Sequence, residues 1–270
     1  MSGEWIPRVR EWVEARALRA CSGQTPPPPA IALKLDHTRR VADNARTIAR
    51  ALGWAEDDVL LAEALGWLHD VGRFDQYAEF GHYHDATSFD HGRRGFEVAR
   101  EAPVLAPLAA PLRNALLDGI RLHNARSIPP DIAPASRPFL EIVRDADKLD
   151  IFRVVAEEIE RDGFRELASL WPHIDLKGPV NPHLLREVRS QPTADIALLR
   201  SLADFLVLQI SWVRDLNCAP SFALVRDRRL LEALAAHLPA DSAAQDYYVE
   251  MRAWLDVRAA SHGRNASPCG

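Results

Sequence analysis

Apolar residues recur along this chain at spacings of three and four, so almost every segment reads as helix and alternating strand patterns are scarce. The periodicity predicts a helix over residues 4–20. The run Pro26-Pro27-Pro28-Pro29 then imposes an extended loop. Helices are expected over about 34–52, ended by Gly53, and about 55–69, stopping at Gly72. Residues 72–88, rich in aromatics, histidine and aspartate, read as irregular. Helices over about 88–101, 109–124 and 136–168 follow, the last after a break marked by Pro129, Pro130 and Pro134. Residues 172–184 read as a long loop, and helices near 183–190, 193–216, 227–237 and 242–259 complete the pattern. The tail from Ser261 onward is expected to be disordered, and no internal repeat is visible.

The resulting expectation is an all-α protein, and 270 residues with 47% apolar content suffice for one sizeable core. Thirty-three basic and 38 acidic residues give a net charge of −5, against a chain that coats a nucleic-acid polymer, which needs a basic excess. A nucleotide substrate needs only a local basic patch. Cys21, Cys218 and Cys269 are far apart and form no CxxC pair, so reduced thiols in a cytoplasmic protein are expected. The opening MSGEWIPRVREW is charged where a signal peptide is apolar, and no stretch approaches the roughly 20 apolar residues of a membrane span.

The chemistry lies in ionisable residues on apolar helix faces. His37 shares a face with Val41, Ile48 and Leu52, and His69 lies behind Leu61 and Leu65. His123 follows Leu112, Leu116 and Ile120, and Asp147 sits between Leu140 and Val143 on one side and Ile151 and Val154 on the other. One buried histidine is ordinary core. A buried carboxylate is costly unless something compensates it, and several buried His and Asp residues suggest a shared counter-charge. A divalent cation is the simplest one. Imidazoles and carboxylates suit Fe, Mn, Zn, Ni or Mg, and the lack of cysteine disfavours a structural zinc site.

The adjacent His69-Asp70 pair, in LGWLHDVGRF, could reach one metal only near a helix end. Together with the first His in LKLDHTRRVADNA and the distal Asp in EIVRDADKLDIF, the doublet resembles the HD-domain superfamily of metal-dependent phosphohydrolases. The likeness spans residues 34–150. It implies an all-α HD-domain helical bundle with additional C-terminal helices, holding one or two divalent metal ions. By matching motif positions it implies His37, His69, Asp70 and Asp147 as ligands. DADKLD also offers Asp145, which has Glu141 four residues earlier and reads as more solvated, and Asp150, which could support a ligand.

His91, 21 residues after Asp70, and His123, 24 before Asp147, complete an order H, HD, H, H, D that is similar to the binuclear subclass. They would either bind a second metal or only contact substrate. His82 and His84 read as pocket-loop residues, and His173, His183, His237 and His262 as surface groups. Arg73 and Lys148, just beyond two of the motifs, are the first candidates for clamping phosphate oxygens, with Arg93 and Arg94 behind them. Asp70 could orient the attacking water.

The resemblance divides the chain into an N-terminal helix and Pro-rich loop (1–33), an HD metal-binding core (34–170), a C-terminal helical extension (171–260) and the tail (261–270). It implies a phosphohydrolase acting on a small phosphorylated substrate such as a nucleotide, with neither a nucleic-acid polymer nor a membrane as partner. Residues 155–260 carry no readable motif and offer a cover for the pocket or the surface of a homodimer. The same H, HD, H, H, D order is also similar to the mixed-valent di-iron oxygenases of this superfamily, such as the inositol oxygenases. Those carry a Lys three residues after the doublet's Asp, where this chain has Arg73. A non-catalytic, ligand-sensing domain is a third reading, against which the ligand set is complete.

Overall fold

Pro29 opens helix α2 (Pro29–Ala51) because its fixed φ suits the first turn and its missing N–H would have no partner there. The proline run therefore starts the helix five residues before the expected Lys34, and only Pro26, Pro27 and Pro28 remain outside it. The computed structural model describes residues 4–163, 174–240 and 242–261. Ser261, the expected start of the disordered tail, is helical, while the rest of that tail, the surface placements of His173 and His262, Cys269 and the last residues of the 136–168 helix lie outside them. Among the described residues there is no strand, only an isolated bridge between Asp175 and Ser201, and the all-α expectation holds. No helix among them is long and apolar enough to cross a membrane.

The chain forms two compact units, residues 1–147 and 148–270, with the division inside one helix. In the first unit α1 (Trp5–Ala20) buries Trp5, Val9, Val13 and Ala17, one residue per turn, and packs on α3 and α4. Helix α3 (Glu56–Leu68) carries three acids in its first turn, where the helix dipole favours them, and is buried on every side from Leu61 onward. It lies along α2 at very close range. A Cβ added at Gly66 would sit 2.5 Å from the Ala42 Cα, so only glycine permits this approach.

Helix α4 (Val71–Phe80) occupies half of the segment expected to be irregular. Gly72 is not a helix stop but lies in the first turn of α4. There a Cβ would meet the His91 carbonyl oxygen at 2.2 Å and the Gly95 N at 2.6 Å, so this glycine lets α4 and α5 (His91–Arg100) touch backbone to backbone. The stop is Gly81, in the left-handed conformation at φ +73°. Helix α6 (Ala110–Leu122) and the first part of α7 (Arg137–Asp162) complete this unit.

The second unit continues α7 and contains α8 (Pro182–Ser190), α9 (Leu202–Ser211), α10 (Ala219–Asp227), α11 (Leu230–Ala235) and α12 (Ala243–Ser261). The helix expected from residue 193 begins instead at Leu202, where Ser201 and Asp204 form a reciprocal capping box. Helix α10 falls where the sequence reads as a connection, because Pro220 belongs to a first turn rather than a loop.

Candidate metal centre

Helix ends bring the motif residues of the first unit together. His37 lies within α2. His69 caps the end of α3 and Asp70 precedes α4, so the doublet spans a junction between two helices. His91 is the first residue of α5, held there by the Asp90 side chain accepting from the Arg93 N–H at 3.0 Å. His123 caps the end of α6, and Asp147 lies in α7. His37, His69, Asp70, His91 and His123 are all buried, at 5% exposure or less.

Asp70 turns its two oxygens to different histidine pairs. Its Oδ2 lies 3.6 Å from Nε2 of both His37 and His69. Its Oδ1 lies 3.4 Å from His91 Nε2 and 3.5 Å from His123 Nε2. Asp147 Oδ1 faces His37 Nε2 at 3.1 Å and His69 Nε2 at 3.8 Å. Three groups of donors, His37-His69-Asp70, His69-His123-Asp147 and Asp70-His91-His123, each close to the size of an ion's coordination shell.

The hydrogen bonds fix which nitrogens carry protons. A backbone carbonyl only accepts, so His69 Nδ1 donates to Gly66 O at 2.8 Å and His123 Nδ1 to Ile120 O at 2.8 Å. In the neutral rings each Nε2 is then a lone pair aimed at the cluster. His91 Nδ1 meets Asp85 Oδ2 at 2.6 Å. Burial opposes ionisation of Asp85, but the bond from His91 and the Arg73 guanidinium override it and hold its carboxyl below the usual range. Asp85 therefore accepts, and His91 Nε2 is a lone pair as well. Burial lowers both His69 and His91 to about 4, so both are neutral near pH 7, the form that binds a metal.

His69 Nε2 is the sharpest sign of a missing partner. It is buried and has no hydrogen-bond partner among the described residues. A buried nitrogen lone pair beside two carboxylates and other imidazoles fits a cation. Both carboxylates are held ionised against the effect of burial, Asp70 by Lys34 and Asp147 by the hydrogen bond from His37. The donor set is nitrogen and carboxylate oxygen, without sulfur, and suits a divalent cation.

Asp145, expected to be the more solvated acid of DADKLD, is fully buried, while the Asp147 side chain is 18% exposed. The reason is that α7 is enclosed on every face from Leu140 to Ala146, so no solvated side exists there. Asp147 is nonetheless the acid that faces His37 and His69. Asp150 is buried with Arg153 3.4 Å away.

Arg73 turns Nη1 away from the cluster and donates it to Gln76 Oε1, Tyr83 O and Asp85 Oδ1 at 2.5–2.8 Å. Its Nε lies 3.7 Å from Asp70 Oδ1 and has no hydrogen-bond partner among the described residues. Lys148 Nζ pairs with Asp215 Oδ2 at 2.9 Å. His82 and His84 are half-buried in the loop leading to Asp85, where His84 N–H donates to His82 Nδ1 at 3.1 Å. Arg93 is exposed and Arg94 pairs with Glu79. His183 is exposed and His237 half-buried.

Sequence reasoning missed Lys34, whose Nζ donates to Asp70 Oδ2 at 2.6 Å, and Asp85. Lys34 stands three residues before His37, a helical spacing that carried the signal. Asp85 lies in a short 3-10 turn with no periodicity to reveal it.

Residues 35–151, slightly under half of the chain, match the family model of the HD domain. The buried histidine and aspartate cluster fits an HD-type metal site. No curated protein and no solved structure gives a match.

Proposed function

We propose that this HD domain is the catalytic core of a metal-dependent phosphohydrolase acting on a small phosphate ester, such as a nucleotide or another phosphorylated metabolite. The observation that carries the reading is the shared carboxylate of Asp70, whose two oxygens face two separate histidine pairs within 3.6 Å. His37, His69, Asp70 and Asp147 would hold one ion, and His91 and His123 with Asp70 a second. An ion bound there supplies Lewis acidity and lowers the pKa of water towards neutrality.

The chain's own residues account for the remainder. Asp70, ionised despite burial, can accept a hydrogen bond from the attacking water and orient its oxygen. Attack forms a bond from that oxygen to phosphorus and breaks the ester P–O bond, and a water proton ends on the leaving oxygen. The backbone bonds to His69 and His123 keep both rings in place, so the donors are set before substrate arrives. Burial of the cluster strengthens each charge interaction within it.

The test is elemental analysis of the purified chain, followed by phosphate release from a panel of phosphorylated metabolites. Metal in the protein and phosphate release abolished by a chelator are expected. A metal-replete protein that releases no phosphate and consumes oxygen would favour the oxygenase chemistry of the superfamily instead.

A further inference from the structure

Lys34 lies one turn before His37 on α2, and among the described residues its ammonium has a single hydrogen-bond acceptor, Asp70 Oδ2. An ammonium offers three N–H donors, so two remain. The Lys34 side chain is 21% exposed and that of Asp70 only 5%, so Lys34 connects the buried cluster with solvent. Tyr83 flanks it, with its ring centroid 5.7 Å from Nζ and its hydroxyl donating to Ala30 O at 3.1 Å. Of the other two cations adjoining the motifs, Arg73 donates Nη1 to three acceptors and Lys148 pairs with Asp215, whereas Lys34 meets the shared Asp70 carboxylate directly.

The position of Lys34 indicates what it is for. Its Nζ lies 2.6 Å from an oxygen of Asp70, a residue of two of the candidate donor groups. A divalent ion held by those donors would bring further positive charge close to that ammonium. An ammonium beside such a centre is repelled unless an anion lies against it. A phosphate group supplies that anion, with oxygens enough for both the metal and Lys34.

Resting on the phosphohydrolase reading, we propose that Lys34 is the residue that binds the phosphate group of the substrate, donating to a phosphate oxygen while Asp70 remains its second acceptor.

The experiment is isothermal titration of inorganic phosphate into the full chain loaded with Mn²⁺, with metal content measured in each variant. Lys34→Met should keep its metal and bind phosphate roughly tenfold to a hundredfold more weakly, the usual loss for one charge-assisted hydrogen bond. Lys34→Arg should recover part of the affinity, because it restores the charge on a different fork. Unchanged phosphate affinity in Lys34→Met would overturn the proposal. Loss of metal in that variant would overturn it too, by making Lys34 a holder of Asp70. If the metal-loaded wild-type chain binds no phosphate, the phosphohydrolase reading fails and the role of Lys34 fails with it. Wild-type binding that survives in Lys34→Met removes the lysine alone.

Discussion

The Nε2 atoms of His91 and His123 face each other at 3.1 Å, each on a ring whose Nδ1 is already engaged, by Asp85 and by the Ile120 carbonyl. Burial and the Arg73 charge keep His91 neutral near pH 7, so its Nε2 offers a lone pair, and a cation held between the two nitrogens would be shared by both rings.

The two histidines should therefore act as a unit. Either alanine variant should lower the metal content from about two ions per chain to about one, since each ion in a two-metal site needs its own donors. Elemental analysis of the purified variants checks this. Unchanged metal content with a raised KM would instead place the pair on the substrate.

Asp147→Asn and Asp145→Asn should separate metal binding from stability. Asp147 Oδ1 faces His37 and His69, so its amide should weaken metal binding by at least about tenfold, the scale of losing one charged partner. Asp145 is fully buried but absent from every group of candidate ligands among the described residues. Its amide should retain metal and lower the melting temperature. Metal titration and thermal unfolding of both variants test the contrast, and a larger metal loss in Asp145→Asn would reverse it.

Much of this was legible in the sequence, and the rest failed for identifiable reasons. His37, His69 and His123 announce themselves because a polar residue on an apolar helical stripe is anomalous, and they are buried. Gly72 misled because a glycine after a helical run reads as a stop, whereas here it permits the contact between α4 and α5. Solvation of Asp145 was inferred from a neighbouring glutamate, but Glu141 is itself buried at 4% exposure, so an acidic neighbour did not mark a wet face. Asp85 reaches His91 through a turn whose geometry no periodicity encodes.

Asp70→Ala should remove metal and phosphate release while leaving helix content intact. Its carboxylate faces both histidine pairs, so one truncation affects both groups of donors. It lies between α3 and α4 and makes no side-chain cap, so neither helix depends on the carboxylate. Far-UV circular dichroism and elemental analysis together test this. Full metal occupancy in the variant would exclude Asp70 from the centre.

Arg73 provides the sharpest separation of mechanisms. Its Nη1 holds Gln76, the Tyr83 carbonyl and Asp85, and Asp85 in turn holds His91. Arg73→Ala frees Asp85 and with it the orientation of His91, so metal affinity on the His91 and His123 side should fall about tenfold to a hundredfold, as for other residues supporting a metal ligand. Loss of charged hydrogen bonds of this kind also costs about 1.5–3 kcal/mol of stability. Arg73→Lys should recover only part of either effect, because an ammonium lacks the planar fork that serves several acceptors at once. A clamp on substrate phosphate behaves differently: metal content stays constant in Arg73→Ala and only KM rises. Oxygenase chemistry behaves differently again, since a lysine at this position matches the pattern of the oxygenases and should raise oxygen uptake. Measuring metal content, phosphate release and oxygen uptake in both variants distinguishes the three. Loss of metal from Arg73→Ala with no oxygen uptake in Arg73→Lys is the expected result, because Nη1 holds the Asp85 that orients His91.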